Sequence, residues 1–258
     1  MRPEEEIEVH ASDPPPGESV AQDEEWFDTE VDGEQRRIRF HDYGAIYAVP
    51  GLYERLFYEE LECNSPATVV GLLKRELERS GTDPASLNVL DVGAGNGMVG
   101  EELHGIGVRA VVGVDVLQEA AAAADRDRPG VYHDYLVADL TSLTAAEYEQ
   151  LTETPFNCLI TVAALGFDDI PPQAFATAYD LVRPGGWIAL TIKEDFLTTA
   201  DPSGFDELIR KLGEEEMLDV HARERYRHRL ASNGDSIYYI ALIATKIDGR
   251  RLTELAAD

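Results

Sequence analysis

The chain has 258 residues and a formal net charge of −28, from 50 acidic against 22 basic side chains. Charge of that sign and size penalises approach to nucleic acid and to anionic membrane surfaces, and no stretch reaches the roughly 18 consecutive apolar residues of a membrane span. The two cysteines, Cys63 and Cys158, make neither a disulfide framework nor a zinc cluster.

The length suits one substantial α/β domain with an appendage. Met1-Arg2-Pro3-Glu4-Glu5-Glu6 has no apolar h-region, so a secretory leader is not expected and a reduced, cytoplasmic setting is. Lysine occurs only at Lys74, Lys193, Lys211 and Lys246. Acid surplus with scarce lysine resembles proteins of salt-in halophiles, and a GC-rich genome biases composition the same way. Either origin concerns solubility rather than catalysis.

Residues 1–24 are acidic, contain Pro14-Pro15-Pro16-Gly17 and lack hydrophobic periodicity, which predicts a disordered tail. Residues 25–86 read as a helical lid or substrate segment. Within it Glu34 to Phe40 suits a short strand or a helix start, and an aromatic helical stretch from Tyr43 to Phe57 is broken at Pro50-Gly51. Ser65 then caps a helix with Pro66 at its first position and an apolar stripe of Val69, Val70, Leu73 and Leu77.

From residue 87 to 247 strands and helices alternate. Strands are predicted at 87–92, 109–114, 135–138, 156–162 and 187–192, which implies right-handed crossovers and a doubly wound parallel sheet. Two further strand-like runs, His221–Leu230 and Ile237–Lys246, flank Ser232-Asn233-Gly234-Asp235, a hairpin signal. Residues 248–258 form a short tail. The fold expected is a seven-stranded Rossmann-like sheet closed by an antiparallel C-terminal hairpin, with a helical lid in front.

The most informative stretch is Asn88-Val89-Leu90-Asp91-Val92-Gly93-Ala94-Gly95-Asn96-Gly97. An apolar strand delivers a carboxylate to its carboxyl end, where ligands of such sheets bind, and the backbone then turns through three alternating glycines. The dinucleotide pattern G-x-G-x-x-G requires glycine where the chain has Met98. An acid two residues before the first glycine would also face a pyrophosphate. It suits a ligand that brings an ammonium and a sulfonium, as S-adenosylmethionine does. Asp115 ends the second strand, where a carboxylate accepts both ribose hydroxyls. Asp139 ends the third and could accept the adenine amino group. Each acid has a plainer alternative, since aspartates at strand-to-helix junctions often cap their own turns. Three at successive strand ends are more specific than one.

With these motifs in place, Asn88 to Lys193 resembles class I S-adenosylmethionine-dependent methyltransferases, down to Arg183-Pro184-Gly185-Gly186 before the fifth strand. More narrowly, Leu90–Glu102, Gly113-Val114-Asp115, Tyr132-His133-Asp134 and Phe156–Leu165 resemble the Williams–Beuren critical-region methyltransferase-like proteins. The resemblance implies cofactor contacts at Asp91, Gly93, Gly95, Asp115 and Asp139. The wider set expected around S-adenosylmethionine adds Ala94, Asn96, Gly97, Met98, Val116, Ala138, Leu140 and Thr161.

Methyl transfer from a sulfonium has a good leaving group, so positioning and desolvation can supply much of the catalysis and no dedicated signature is required. The Asn/Asp-Pro-Pro-aromatic motif of amino-group methylation is absent after strand four, where the chain has Thr161-Val162-Ala163-Ala164. Cys158 lies inside that strand and reads as a buried apolar residue. His41, Tyr43 and Tyr47 are the candidate catalytic or lid residues, set against the plainer role of an apolar helix face. His133 and Asp134 lack a third ligand for a metal, and Asp168 and Asp169 stay unassigned. His221, Arg223, Arg225, Arg227 and Arg229 share one strand face, either an anion seat or, preferably, an edge balanced by carboxylates. The expected function is methyl transfer to a small-molecule acceptor, with nucleic acid disfavoured, no membrane partner and no metal. The alternatives are a non-catalytic S-adenosylmethionine-binding protein and an NAD(P)-dependent oxidoreductase. Oligomeric state is not legible.

Overall fold

The computed structural model describes residues 7, 9–11, 24–31, 33–166, 169–194 and 203–255. They fall into two compact units, one running up to Asn64 and including Arg227–Ile237, the other comprising Ser65–Tyr226 and the chain from Tyr238 onward.

In the larger unit the parallel strands are β4 (Asn88–Val92), β5 (Ala110–Asp115), β6 (Asp134–Val137), β7 (Cys158–Thr161) and β8 (Trp187–Lys193). Two long antiparallel strands follow, β9 (Leu218–Leu230) and β10 (Ser236–Lys246). The sheet order is β6-β5-β4-β7-β8-β10-β9, with β10 antiparallel to β8 and β9 at the edge. Chain order reverses between β4 and β7, which puts the switch point at the carboxyl end of β4. The expected seven-stranded sheet with a terminal hairpin is therefore the observed fold.

The strands form where the sequence is apolar on both faces, as a sheet covered by helices requires: Val89 and Leu90 of β4 and all of β7 are buried. Helices α4 (Met98–Gly105), α5 (Gln118–Asp127), α6 (Ala145–Glu153), α7 (Pro172–Leu181) and α8 (Phe205–Glu214) cover them, with a short α9 (Leu252–Leu255) near the end. Thr144 and Glu147 start α6 as a reciprocal capping box. The helix α3 (Ser65–Ser80) belongs to this unit rather than to the N-terminal one. Its stripe of Val69, Val70, Leu73 and Leu77 is buried, facing α4 and β8, and its Ser65 hydroxyl lies 2.7 Å from that of Tyr226.

The smaller unit holds more strand than the helical expectation for residues 25–86. Strands β1 (Val9–Ala11), β2 (Trp26–Val31) and β3 (Glu34–Arg39) form an antiparallel sheet. Val9–Ala11 lie inside the stretch expected to be a structureless tail; pairing of Val9 with Thr29 and of Ala11 with Phe27 orders them. Residues 1–6, 8 and 12–23 of that stretch are outside the described residues. Short helices α1 (Tyr43–Tyr47) and α2 (Leu52–Glu54) are separated by Gly51, whose φ of 77° sets the expected break. A π-helical turn, Arg55–Glu60, follows. Phe27, Ile38, Phe40, Ile46, Leu52, Leu56 and Leu61 make a core of their own.

Arg229 Nη2 lies 2.6 Å from Glu25 Oε2 in this smaller unit, both side chains only 2% exposed. Glu25 also accepts the Ser232 N–H at 2.6 Å, and the guanidinium stands over the Phe40 ring. The basic stripe of β9 is thus divided. Arg225 pairs with Glu194, Arg227 with Glu62, and Arg229 is buried. The carboxylate-balanced edge, not an anion seat, is the arrangement seen.

Candidate cofactor site

Asp91 sits at the carboxyl end of β4, opposite Gly113 of β5 and Ile160 of β7, and is 1% exposed. After it the backbone folds back on β5: Gly93 and Ala94 donate their N–H groups to the Val114 carbonyl. Gly93, Gly95 and Gly97 all have positive φ, a conformation that costs other residues energy. At Gly93 the space is also closed, because a Cβ would come within 2.8 Å of Ala164 Cβ and 2.9 Å of Ile170 Cδ1. That glycine serves the chain's own packing as much as a ligand's approach.

The second acid is built into the same loop. Asp115 Oδ2 accepts the Gly95 N–H and its Oδ1 accepts the Leu117 N–H, each at 3.0 Å. Burial pushes its carboxyl up, and the backbone N–H groups of Leu117, Gly95 and Val116 oppose that shift. Arg128, just past the end of α5, braces the loop, donating to the Asn96 carbonyl at 3.2 Å and to Glu101, with Met98 Sδ also in contact. Val116, next to Asp115, is an exposed apolar side chain.

Asp139 is different. It is exposed, and its oxygens already accept from Thr141 N and Oγ1 and from Ser142 Oγ at 2.7–2.9 Å, holding its pKa down. This is the self-capping turn open to any aspartate at a strand end. Its neighbours Ala138 and Leu140 are buried. Thr161, at the end of β7, is fully buried and its Oγ1 has no hydrogen-bond partner. Two residues on, Ala163 adopts φ of 56° and donates its N–H to Thr191 Oγ1 at 2.7 Å.

The buried carboxylate keeps one oxygen unsatisfied. Asp91 Oδ1 has no hydrogen-bond partner, while Oδ2 accepts the Tyr132 hydroxyl at 2.8 Å. Burial first, and Asp115 in addition, push the Asp91 carboxyl up to about 7, with the Tyr132 hydroxyl pulling the other way. An orphaned carboxylate oxygen inside a protein is costly unless a donor meets it. The ammonium of S-adenosylmethionine is such a donor, and the residues fit that cofactor.

Two tyrosines have roles that the sequence does not show, although Tyr132 is part of the quoted Tyr132-His133-Asp134. Tyr132, just before β6, and Tyr135, on β6, reach under the loop: Tyr132 also points to the Ala94 carbonyl at 3.1 Å, and Tyr135 donates to the Gly95 carbonyl at 2.9 Å. The sequence signal was indirect, glycines far apart in the chain at 97, 100 and 113. His133 and Asp134 beside them are exposed. Among the described residues no group of three or more His, Cys, Asp or Glu could hold a metal ion.

His41, Tyr43 and Tyr47 lie together in the smaller unit, with ring centroids 5.6 Å apart for the first pair and 6.2 Å for the second. Asp42 accepts the Ala45 N–H as the cap of α1. Asp168 is outside the described residues.

A parallel sheet with a reversed C-terminal hairpin, carrying acids at the ends of its first two strands and a glycine turn between them, defines an S-adenosylmethionine-binding Rossmann-like fold. The model of the family described as "Methyltransferase domain" matches residues 67–241, and the chain belongs to that family. That membership displaces the nicotinamide alternative. The chain is similar to the ubiquinone biosynthesis O-methyltransferase of Thiobacillus denitrificans, at 27% identity over 54% of this chain and 55% of that protein. It is 30% identical to the mitochondrial ubiquinone biosynthesis O-methyltransferase of Candida albicans, over 44% of this chain and 35% of that one. The chain thus spans about half or less of the length of these curated relatives. Among solved structures, Thermoplasma acidophilum protein 1320 shares the fold with a TM-score of 0.50 at 17% identity, covering 80% of this chain and 96% of its own. A proposed RNA methyltransferase of Pyrococcus horikoshii, PH1948, does so with a TM-score of 0.51 at 15% identity, covering 72% and 86%.

Proposed function

We propose that the chain is an S-adenosylmethionine-dependent methyltransferase that acts on a small-molecule acceptor. The observation that carries this is the buried Asp91 carboxylate, ending β4 at the switch point with one oxygen unsatisfied. When bound, the cofactor supplies a methyl group on a sulfonium, ready for in-line displacement. Asp91 Oδ1 would hold the ammonium. The remaining lone pairs of Asp115 would take the ribose hydroxyls, and Val116 would offer the adenine an apolar surface. Asp139 would meet the adenine amino group through lone pairs its own turn leaves over. The backbone of Gly93 to Met98, Ala138 and Leu140 would line the rest, with Thr161 at the methyl end.

With departure of the leaving group already easy, the protein's task is to orient the acceptor and exclude water. His41, Tyr43 and Tyr47 are proposed for the acceptor side, supported by their clustering within one unit. Oxygen acceptors are the first to try, because the two curated relatives are named O-methyltransferases. The net charge of −28 speaks against nucleic acid. A cytoplasmic setting suits Cys63 and Cys158, which are not joined in a disulfide; among the described residues no helix is long and apolar enough to cross a membrane. Placement beside the Williams–Beuren critical-region methyltransferase-like proteins rests on the quoted motifs alone.

Titration calorimetry with S-adenosylmethionine and S-adenosylhomocysteine should show micromolar binding. No heat with either, and heat with NAD, would overturn the proposal. Turnover of labelled cofactor with cell extract, with mass identification of the product, would then name the acceptor. Binding without any turnover would point to a non-catalytic cofactor-binding protein.

A further inference from the structure

We propose that Tyr132 is a positioning residue for the cofactor-binding acid. From a slot walled by Gly97, Gly100 and Gly113, its hydroxyl fixes the Asp91 carboxylate in its charged form and leaves Oδ1 for the incoming ammonium. The inference rests on S-adenosylmethionine binding at this loop.

The slot is the first support. A Cβ on Gly100 would come within 3.2 Å of the Tyr132 ring and one on Gly113 within 3.1 Å, with Val131 and Tyr135 as close or closer; one on Gly97 would meet Val131 at 3.0 Å and touch the ring at 3.4 Å. Gly100 lies in helix α4 and Gly113 in the interior of β5, places where glycine ordinarily weakens the element. All three are open where the ring enters. Tyr135 closes the far side, its ring edge-on at 5.2 Å.

The hydroxyl's targets are the second support. It is aimed at Asp91 Oδ2 at 2.8 Å and at the Ala94 carbonyl at 3.1 Å, so one group sets both the acid and the glycine turn that follows. A phenylalanine would fill the slot equally well, and only the hydroxyl separates the two residues.

The charges around Asp91 define what that hydroxyl does. Asp115 at the end of β5 opposes ionisation of Asp91, and Tyr135 on β6 and Cys158 on β7 are neutral groups whose own ionisation Asp91 opposes. Asp169 acts on Asp115 in the same repulsive sense. Against burial and Asp115, the Tyr132 hydrogen bond is what favours the carboxylate.

The test is cofactor affinity as a function of pH in Tyr132→Phe. Wild-type affinity should fall as pH drops through about 7, where Asp91 takes up its proton. Losing one hydrogen bond to a charged group should move that midpoint up by about one pH unit. S-adenosylhomocysteine should then bind about fivefold more weakly at pH 7 and within about twofold of wild type at pH 9. The ligand's own amine titrates alike in both proteins and cancels. Tyr135→Phe, which loses a bond to the Gly95 carbonyl but none to Asp91, should weaken binding equally at every pH. An unchanged profile in Tyr132→Phe, or a weakening independent of pH, would overturn the proposal while leaving the cofactor assignment intact. Absence of binding by the wild type at any pH would overturn both. Thermal unfolding at pH 9 establishes that each variant is folded.

Discussion

Replacing Asp91 by asparagine should change stability with pH in a way that measures what the native carboxylate costs. Burial lifts that carboxyl from 3.8 to about 7, so over the interval between the native chain holds a proton that the unfolded chain has released. The stability this proton contributes is complete below about pH 4 and is lost progressively as pH rises through 7. With those two values, linkage gives a loss of about 2 kcal/mol between about pH 5.5 and pH 8. Asparagine has no such proton. Burying its amide nitrogen adds an offset of about 1–3 kcal/mol, but the offset does not vary with pH. The unfolding free energy of Asp91→Asn relative to wild type should therefore rise by about 2 kcal/mol over that interval, with all other titrating groups cancelling. Urea unfolding of dialysed, cofactor-free protein followed by circular dichroism gives the number. A difference that stays flat would refute the buried, proton-holding carboxylate. Calorimetry on the same samples should show S-adenosylmethionine binding lost in the variant.

Other substitutions probe different parts of the loop and the smaller unit. Asp115→Ala removes the acceptor for the Gly95 and Leu117 N–H groups as well as the proposed ribose contact, and should weaken cofactor binding by about 2–3 kcal/mol in calorimetry. Gly93→Ala puts a methyl 2.8 Å from Ala164 Cβ at a φ of 73°, and should cost about 2 kcal/mol or more in urea unfolding. Glu25→Gln leaves Arg229 charged and buried, a loss of about 3–5 kcal/mol by the same measurement. Glu25→Gln with Arg229→Met should recover part of it, and a double loss equal to the sum of the Glu25→Gln and Arg229→Met single losses would show that the pair is not coupled.

The sheet of the larger unit is legible because its strands are buried on both faces and therefore uniformly apolar, as in Cys158-Leu159-Ile160-Thr161. The N-terminal sheet is legible only in part: Glu34 to Phe40 is open to a short strand or a helix start, and β1 and β2 are not expected. β3 reads Glu-Gln-Arg-Arg-Ile-Arg, with Ile38 alone buried, so the period-two pattern is nearly invisible. Gly33, at a φ of 79°, lies between β2 and β3. At the site, Asp91 and Asp115 stand out in sequence because strand ends and glycines are local features. The tyrosines do not, because Tyr132 answers to Gly97, Gly100 and Gly113 through contacts that no local pattern carries. Arg229 looked like one member of a solvated stripe until Glu25, 204 residues away in sequence, supplied its counter-charge.

The smaller unit is assembled from two separated pieces of chain, the stretch up to Asn64 and the hairpin tip Arg227–Ile237. During synthesis its first piece emerges early yet stays incomplete until nearly the whole polypeptide has been made. Until then Glu25 has no arginine to neutralise it and the Phe40 ring has no guanidinium above it. Domains ordinarily fold in the order in which they emerge, but here the N-terminal unit must finish last. A ribosome stalled short of Arg227 should therefore display a protease-sensitive N-terminus, and a protein lacking the hairpin tip should lose order at the opposite end of its sequence.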